Sequence, residues 1–361
     1  MIALGRTPNH RFEFLGRLIS LTIVTAAMTA AANAQQKGNN VSEPTFRMIE
    51  TNGINMRIAE MGEGPLVLLI HGWPESWYSW RHQMPALAAA GYRAVAPDMR
   101  GYGKTDAPPN VEDYDVEHTT ADVVGIIDAL GEEKAHLIGH DWGAIVAWNC
   151  MLLHPDRFSS LVAMSVPYAG RGDQSLVDML KAAYGENFFY ILYYQDYGVA
   201  EKEFDADPRG ILSRLYLSPD SPREAPTVTD KKASAGGWIP RLGAPKGLPD
   251  WLTQEELDYY VDEFTEAGFR GGINYYRNFT RNWENTPQLD GVKVKQPVLF
   301  LAGEKDMVIR GANAEALKGL MSGATEDLRD VVIIPGIGHW VQQESPEETN
   351  EAVLNFLKSL E

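Results

Sequence analysis

The sequence predicts an α/β fold in which a mostly parallel, doubly wound sheet carries an inserted helical cap. Up to residue 168, short apolar runs typical of buried strands alternate with helical segments, which is the pattern of parallel β-α-β units. Residues 169–287 are instead aromatic, are interrupted by glycine and proline, and contain no strand-like apolar run. Strands resume after this segment. We therefore expect a core formed by residues 35–168 and 288–361 and a cap formed by residues 169–287.

The first two strands are expected to form a hairpin between Phe46 and Ala59, because Asn52-Gly53 is a strong signal for a tight turn. The uninterrupted apolar run Leu66–Ile70 suits a parallel strand that is buried on both faces. Further strands are predicted at Arg93–Ala96, Ala135–Ile138, Ser160–Met164, Val298–Ala302 and Val331–Ile334. Helices are predicted at Trp80–Ala90, Thr119–Leu130 and Ala144–Leu153. The polar, proline-containing stretch Ser218–Asp230 is expected to be a loop in the cap.

The composition indicates a globular protein rather than a fibrous or disordered one. The 361 residues include 44% hydrophobic and 22% charged side chains, enough for one large α/β domain or two ordinary ones. The formal net charge of -17 would repel a phosphate backbone or an anionic membrane surface, so nucleic acid is not expected as a partner. A single cysteine, Cys150, excludes an intrachain disulfide and a thiolate zinc site. No motif indicates a metal or an organic cofactor.

The N-terminal segment has the layout of a secretory signal peptide. Three arginines precede the apolar run Leu18–Ala32, and Ala32-Asn33-Ala34 supplies the small residues of a cleavage site. The run is shorter than the roughly 20 residues that a membrane-spanning helix requires. We expect residues 1–34 to be removed and the protein to be secreted or periplasmic, with no membrane span after cleavage. A retained anchor and an arginine-rich organellar presequence are the alternatives.

A tight turn with a carboxylate at its centre is predicted between the strand that ends at Ile138 and the helix that begins at Ala144. The segment Gly139-His140-Asp141-Trp142-Gly143 has the form of a nucleophile elbow. In such an elbow, small flanking residues allow a sharp turn that raises the central side chain above the carboxyl ends of the strands. Asp141 occupies the nucleophile position. On its own, the pentapeptide also fits an ordinary glycine-rich turn whose aspartate caps the following helix.

Two further residues fit a catalytic arrangement with Asp141. Asp306 and His339 each lie just beyond a predicted strand, and the chain order nucleophile, acid, histidine is that of a known type of catalytic triad. The alternative is that Asp306 caps a helix and His339 is an ordinary surface residue. The backbone N–H groups of Trp73 and Trp142 are the expected oxyanion donors, since these residues follow the first buried strand and the nucleophile.

Several segments of core and cap match one known family. In the core they are His71–Trp80, Gly101–Thr105 and Gly139–Gly143, and in the cap they are Leu192–Gln195, Gly198–Glu201, Gly268–Gly271 and Asn274–Asn278. In these segments the chain resembles the soluble epoxide hydrolases of the α/β-hydrolase superfamily, and the resemblance covers most of the mature chain. It implies an α/β-hydrolase fold and identifies Tyr193 and Tyr276 as the two tyrosines that activate the epoxide. Trp73 is a departure, because mammalian members usually have phenylalanine there.

The resemblance implies a hydrolase that acts on the ether bond of a small-molecule epoxide without a cofactor or metal. Asp141 would attack a ring carbon and form an ester, while the tyrosines donate to the ring oxygen. His339, oriented by Asp306, would then activate the water that hydrolyses the ester, and the product would be a vicinal diol.

Two alternatives stay open from the sequence. A haloalkane dehalogenase uses the same type of nucleophile, although Trp73 stands where a second halide donor is wanted. A non-catalytic secreted binding protein on a hydrolase scaffold is the other, because a fold alone does not define a function. The attacked carbon, the enantiomer, the pocket size and the oligomeric state do not follow from the sequence.

Overall fold

The computed structural model describes residues 43–361, and its central sheet has eight strands. The strands are β1 Thr45–Thr51, β2 Ile54–Met61, β3 Leu66–Ile70, β4 Arg93–Pro97, β5 Ala135–His140, β6 Phe158–Met164, β7 Val294–Gly303 and β8 Thr325–Ile334. Their order across the sheet is β1-β2-β4-β3-β5-β6-β7-β8. Strand β2 pairs antiparallel with β1 and β4, and all other neighbours are parallel. The mostly parallel sheet predicted from the sequence is confirmed.

The predicted signal peptide, residues 1–34, lies outside the described residues. Within residues 43–361, no helix is both long enough and apolar enough to cross a membrane. Secretion and localisation therefore stay predictions.

The hairpin and the first parallel strand form for the reasons visible in the sequence. Asn52 and Gly53, between β1 and β2, have φ angles of 46° and 76°, and a two-residue hairpin turn with positive φ at both positions matches the twist of the strands. All five residues of β3 are buried. Alternate residues of β3 belong to two separate core clusters, so the strand is covered on both faces of the sheet.

Thirteen α-helices are present in the described part of the chain. They are α1 Gln83–Ala89, α2 Val116–Leu130, α3 Trp142–Leu153, α4 Leu176–Tyr184, α5 Tyr190–Tyr193, α6 Val199–Ala206, α7 Pro208–Leu215, α8 Gln254–Ala267, α9 Arg270–Arg277, α10 Phe279–Asn285, α11 Ala314–Met321, α12 Val341–Glu344 and α13 Pro346–Lys358. Helices α2 and α3 contribute to one core cluster, and α1 and α13 contribute to the other. The sheet is therefore doubly wound. Cys150 is fully buried in α3.

The segment between β6 and β7 adds no strand to the central sheet and contains helices α4 to α10. Within it, the predicted loop Ser218–Asp230 has neither a helix nor a sheet strand. Helix α8 is joined to the core by ion pairs. Glu263 pairs with Arg57 of β2, which also pairs with Asp98, and Glu256 lies 2.7 Å from Arg81.

The topology brings the predicted site residues to one edge of the sheet. The carboxyl ends of parallel strands lie on the same side, and open α/β sheets bind their ligands there. Trp73 follows β3, Asp141 follows β5, Asp306 follows β7 and His339 follows β8. The helical segment 165–293 leaves the sheet from the same end of β6.

Candidate active site

Asp141 stands on a strained turn between β5 and α3. Its φ of 52° and ψ of -117° lie outside the regions that residues with a side chain usually adopt. A Cβ at Gly139 would come within 2.3 Å of the Gly143 carbonyl oxygen, and a Cβ at Gly143 within 1.9 Å of the Ile70 carbonyl oxygen. Both glycines are therefore required for the turn. The Asp141 side chain makes no capping hydrogen bond with α3, so the interpretation as an ordinary helix cap is not supported.

His339 lies between two carboxylates. Its Nε2 is 3.6 Å from Oδ2 of Asp141, and its Nδ1 is 3.0 and 3.1 Å from the two oxygens of Asp306. Asp306 is almost completely buried and also accepts a hydrogen bond from the backbone N–H of Val308. The structure thus brings the three predicted triad residues together, with Asp306 orienting the imidazole so that Nε2 faces the nucleophile.

The three side chains stabilise each other's charged forms. Burial alone would lower the pKa of His339, but Asp306 and Asp141 outweigh it and raise that pKa well above its ordinary value of 6.5. Burial opposes ionisation of Asp141 and Asp306 as well, yet His339 holds the pKa of both carboxyls below the ordinary value. The resting site is therefore an imidazolium between two carboxylates, and Asp141 is an ionised nucleophile without the help of a base.

The loop after β3 supplies a backbone donor to the nucleophile. The N–H of Trp73 donates to Oδ1 of Asp141 at 2.8 Å. Trp142 is the first residue of α3, so its N–H has no acceptor within the helix. These two N–H groups are the pair predicted as oxyanion donors: that of Trp73 contacts the Asp141 carboxylate, and that of Trp142 belongs to the residue directly after Asp141.

A buried polar network supports this loop from below. Glu75 accepts hydrogen bonds from the N–H of Gly72 at 2.8 Å, from Nδ1 of His140 at 2.8 Å and from two glutamine side chains of α12. Burial would raise the pKa of Glu75, but His140 and Gly72 hold it below its ordinary value. The other ring nitrogen of His140 lies 2.8 Å from the backbone carbonyl oxygen of His339. The network therefore connects the oxyanion loop to the segment that carries the catalytic histidine.

Two cap tyrosines, Tyr190 of α5 and Tyr276 of α9, face the nucleophile. Their ring centroids are 5.9 Å apart, and the ring of Tyr276 also contacts the rings of Trp142 and Trp73. Burial raises the pKa of both hydroxyls and the charge of Asp141 raises it further, so both stay protonated at neutral pH. Neither hydroxyl has a hydrogen-bond partner among residues 43–361. Both are therefore free to donate to a ligand.

Tyr193, which the motif resemblance indicated, does not join this pair. Its hydroxyl donates to Oε2 of Glu203 at 2.9 Å, and the carboxylates that raise its pKa belong to the cap and do not include Asp141. The physical reason is helical geometry, since residues three apart on a helix point in directions about 60° apart. We therefore correct the assignment of the second tyrosine from Tyr193 to Tyr190.

Sequence reasoning missed Tyr190 because three tyrosines lie within five residues. Tyr190 and Tyr194 have the four-residue spacing of one helix face, and their ring centroids are 5.7 Å apart. Tyr194 is completely buried against Trp73, and its hydroxyl has no partner among the described residues. Spacing alone does not separate the three tyrosines, because residues three and four apart on a helix share a face. Only the docking of the cap makes Asp141, after burial, the leading contribution to the raised pKa of Tyr190, whereas for Tyr194 its contribution comes after those of two tyrosines.

Comparisons with known proteins agree with this geometry. A family described as alpha/beta hydrolase fold matches residues 65–346. The chain is 46% identical to Epoxide hydrolase A of Mycobacterium tuberculosis (strain ATCC 25618 / H37Rv) over 88% of this chain and 98% of that protein. It is 41% identical to Epoxide hydrolase 2 of Siraitia grosvenorii over 86% of this chain and 97% of that protein.

Solved structures give the same result. The crystal structure of Epoxide Hydrolase A from Mycobacterium thermoresistibile is 46% identical, has a TM-score of 0.79, and is matched over 88% of this chain and 99% of that chain. An epoxide hydrolase from an endophytic Streptomyces is 38% identical, with a TM-score of 0.81 over 88% of this chain and 96% of that chain. The chain belongs to the epoxide hydrolases of the α/β-hydrolase fold, which are hydrolases that act on an ether bond.

Proposed function

We propose that this epoxide hydrolase opens a small-molecule epoxide through a covalent ester on Asp141. The environment of the Asp141 carboxylate carries this proposal. One oxygen accepts from the N–H of Trp73 at 2.8 Å, and the other lies 3.6 Å from Nε2 of His339, below two tyrosine hydroxyls that have no partner of their own among the described residues. An ionised nucleophile, an acid for the leaving oxygen and a base for the second step are thus present together.

Ring opening requires an attack from one side and a proton from the other. A carboxylate oxygen of Asp141 forms a bond to one ring carbon, and the bond between that carbon and the ring oxygen breaks. The electron pair moves to the ring oxygen, which takes a proton from Tyr190 or Tyr276. Because burial keeps both phenols protonated, they are suitable donors at neutral pH.

Hydrolysis of the ester uses the histidine. Once Asp141 is an ester it is neutral, so one of the two anions that raise the pKa of His339 is removed and the imidazolium releases its proton, which restores the tyrosine that donated in ring opening. The neutral imidazole then accepts a proton from water. The resulting hydroxide attacks the ester carbonyl, and the N–H groups of Trp73 and Trp142 stabilise the tetrahedral oxyanion. Collapse breaks the bond between the ester carbonyl carbon and the diol oxygen, which takes the proton of the newly formed Asp141 carboxyl group. The diol leaves, Asp141 is a carboxylate again, and His339 keeps the proton that it took from water, as in the resting site.

Neither alternative from the sequence is favoured. The relatives and solved structures reported above carry the name epoxide hydrolase, and none of those comparisons points to dehalogenation. Dehalogenation needs no acid for a leaving oxygen, so it does not account for the Tyr190 and Tyr276 hydroxyls, which have no partner among the described residues. A binding protein on this scaffold has no need for an ion triad with a strained aspartate.

The test is a product assay on the purified protein with aryl and long-chain epoxides and with bromoalkanes. Diol formation without halide release is expected, and the size of the accepted epoxides measures the pocket. Asp141→Asn should abolish turnover because it removes the nucleophilic charge. Diol formation at the wild-type rate from freshly prepared Asp141→Asn protein would show that another residue is the nucleophile.

We also propose that residues 1–34 are a secretory signal peptide and that the protein is secreted or periplasmic. The arginines before Leu18–Ala32 and the small residues of Ala32-Asn33-Ala34 support this proposal. Expression of the full chain in a secreting bacterial host should give an extracytoplasmic protein whose mass corresponds to a start at Gln35. A protein that keeps Met1 and stays in the cytoplasm would contradict it.

A further inference from the structure

The carboxylate of Glu203 on α6 joins two other parts of the cap. The Tyr193 hydroxyl donates to its Oε2 at 2.9 Å, and the backbone N–H of Trp238 donates to the same oxygen at 2.8 Å. The N–H of Ile239 donates to its Oε1 at 3.1 Å. One carboxylate therefore ties α5, α6 and the segment 236–239 together, and charge-assisted bonds of this kind are the strong ones.

The segment 236–239 is shaped to reach this carboxylate. Gly236 has a φ of 148°, and a Cβ at Gly237 would come within 2.2 Å of Oε1 of Glu203. The two glycines let the backbone pass close to the carboxylate, so that the next two N–H groups point at it. A side chain at position 237 would push the carboxylate away from both donors.

The residue held in this way, Trp238, lies between two parts of the active site. Its ring stacks on the ring of Tyr190, with centroids 5.0 Å apart and planes 12° apart. It also stacks on the ring of Trp73 at 5.9 Å and 14°. Trp73 is the residue whose N–H donates to Asp141, so Trp238 connects the oxyanion loop to the acid of ring opening.

The direction of the Tyr190 hydroxyl depends on this stacking. The hydroxyl has no hydrogen-bond partner within residues 43–361, so only ring packing orients it. Phe189 lies against the ring at 41°, and Tyr194 and Tyr276 contact it at 77° and 78°. Among these neighbours, Trp238 alone lies face to face with it and so determines the plane of the ring.

We propose that Glu203 and Tyr193 are positioning residues for ring opening: they hold Trp238 against Tyr190 and thereby orient the hydroxyl that donates to the epoxide oxygen. The inference rests on the proposed role of Tyr190. It gives Tyr193 a part in the reaction that acts through other residues, in place of the direct role that the sequence resemblance indicated. Neither positioning residue touches the substrate.

The first experiment separates the two chemical steps by single-turnover kinetics with an aryl epoxide. Tyr193→Phe and Glu203→Gln should each slow ester formation by roughly tenfold. Tyr193→Phe removes the hydroxyl that donates to the Glu203 carboxylate, and Glu203→Gln removes the negative charge that strengthens all three hydrogen bonds to it. The rate of ester hydrolysis should not change. Tyr197→Phe and Glu186→Gln make the same chemical changes at exposed cap positions and should leave both steps unchanged.

The decisive measurement is a double-mutant cycle with Tyr190→Phe. If Glu203 acts through the Tyr190 hydroxyl, Glu203→Gln should slow ester formation by less than about twofold when that hydroxyl is already absent. The inference would be overturned if the double variant were slowed by the product of the two single-variant effects. It would also be overturned if Glu203→Gln slowed ester formation and ester hydrolysis equally. Trp238→Ala should reproduce the effect of Glu203→Gln, and Trp238→Phe, which keeps a stacking ring, should restore part of the rate.

The outcomes distinguish this inference from the proposed function. Absence of any ester on Asp141 in the wild-type protein would contradict the function itself. Ester formation at the wild-type rate in Tyr190→Phe would remove Tyr190 from the acid role. Slow ester formation in Tyr190→Phe together with wild-type rates in Tyr193→Phe and Glu203→Gln would overturn the positioning role alone.

Discussion

The charge on His339 depends on the chemical state of Asp141. Asp306 and Asp141 together keep the imidazole protonated against the effect of burial. Esterification removes the charge of Asp141, so His339 then faces one anion instead of two and releases its proton more readily. The side chain that stabilises the nucleophile in the resting enzyme thus becomes a base only after the nucleophile has reacted.

This coupling predicts that the two chemical steps respond differently to pH. Ester hydrolysis needs neutral His339 and should slow by up to about tenfold per pH unit on the acidic side of its pKa. Ester formation needs ionised Asp141, whose pKa lies below the ordinary 3.8, so mild acid should not slow it. The fraction of enzyme present as ester, measured by rapid quenching and intact-protein mass, should therefore rise as the pH is lowered. A parallel decline of both steps would contradict the assignment.

Replacement of the histidine should trap the intermediate. His339→Gln keeps a polar side chain beside Asp141 but removes the base, so ester hydrolysis should slow by roughly a hundredfold or more while ring opening continues. Intact-protein mass after mixing with epoxide should show the protein plus one substrate. Tyr78→Phe, at a partly buried residue outside the triad, should show no adduct. An unmodified mass for His339→Gln with slow turnover would place His339 in ring opening instead.

The triad could be predicted from the sequence because each member follows a recognisable strand. Asp141, Asp306 and His339 come after apolar runs in an order that a parallel sheet converts into proximity. The second tyrosine could not be predicted in this way. Tyr190 and Tyr193 lie on the same four-residue helix, and the contacts of Glu203 and Trp238 that separate their roles come from distant parts of the chain.

At the scale of elements, the turn between β5 and α3 depends on close approaches of backbone to backbone. The Cβ that alanine would add at Gly143 meets the carbonyl oxygen of Ile70 on β3, a fully buried neighbouring strand. Neither strand can move without disturbing the centre of the sheet. The elbow is therefore rigid because β3 and β5 are both held by parallel pairing.

We expect Gly143→Ala to destabilise the protein by roughly 2–4 kcal/mol, since a core backbone must shift to accommodate the methyl group. Gly319→Ala is the matched control, for which we expect a change of folding stability in the opposite direction. Gly319 is exposed within α11 with open space around its Cα, so alanine should stabilise by about 0.5–1 kcal/mol. Urea unfolding of both variants measures the difference. Equal stability of the two would show that the elbow tolerates a side chain.

The ends of a strand could be predicted from the sequence where all of its residues are buried in the core. The strand predicted at Leu66–Ile70 has those bounds in the structure, because every residue in it is buried. Strand β8 begins at Thr325, well before the predicted Val331, since it lies at the edge of the sheet and its first half exposes charged side chains. Helix α3 begins at Trp142 rather than Ala144 because the chain turns within a single residue at Asp141.

At the scale of the whole molecule, α8 of the cap contacts the core through a buried cluster with two acids and one base. Arg57 pairs with both Asp98 and Glu263. Burial raises the pKa of both carboxyls, their mutual repulsion adds to that of Glu263, and Arg57 acts in the opposite direction. Within this cluster, one guanidinium therefore balances both buried carboxyls.

Arg57→Gln should cost roughly 3–5 kcal/mol of folding stability, because it leaves two buried carboxyls without their partner. The pKa of both acids would rise further, so the folded variant would keep protons that the unfolded chain releases. Its stability should then fall as the pH rises from about 4 to about 7, more steeply than that of the wild type. Urea unfolding at several pH values measures this slope.

The control for that prediction is Arg209→Gln. Arg209 pairs with Asp258 on the cap surface, where solvent screens both charges, and its removal should leave stability and its pH dependence unchanged. A pH-independent loss in Arg57→Gln would show that packing rather than charge joins α8 to the core.

The architecture of the molecule followed from the sequence, but the docking of the cap did not. The alternation of strands and helices predicts a doubly wound sheet because few topologies satisfy it. The contacts that orient the cap, such as Arg57 with Glu263 and Tyr190 with Trp238, join residues far apart in the chain and carry no local pattern. These are also the contacts that shape the site.

The only cysteine of this protein is a chemical probe for local opening of the fold. Cys150 is fully buried in α3, the helix that begins directly after Asp141, and burial raises the pKa of its thiol. A thiol reagent can label it only when that helix leaves the sheet, so the labelling rate reports the frequency of such excursions. An ester on Asp141 fixes the substrate at the start of α3, where the substrate also contacts the cap. Labelling of Cys150 should therefore slow while the ester persists and recover when the diol leaves.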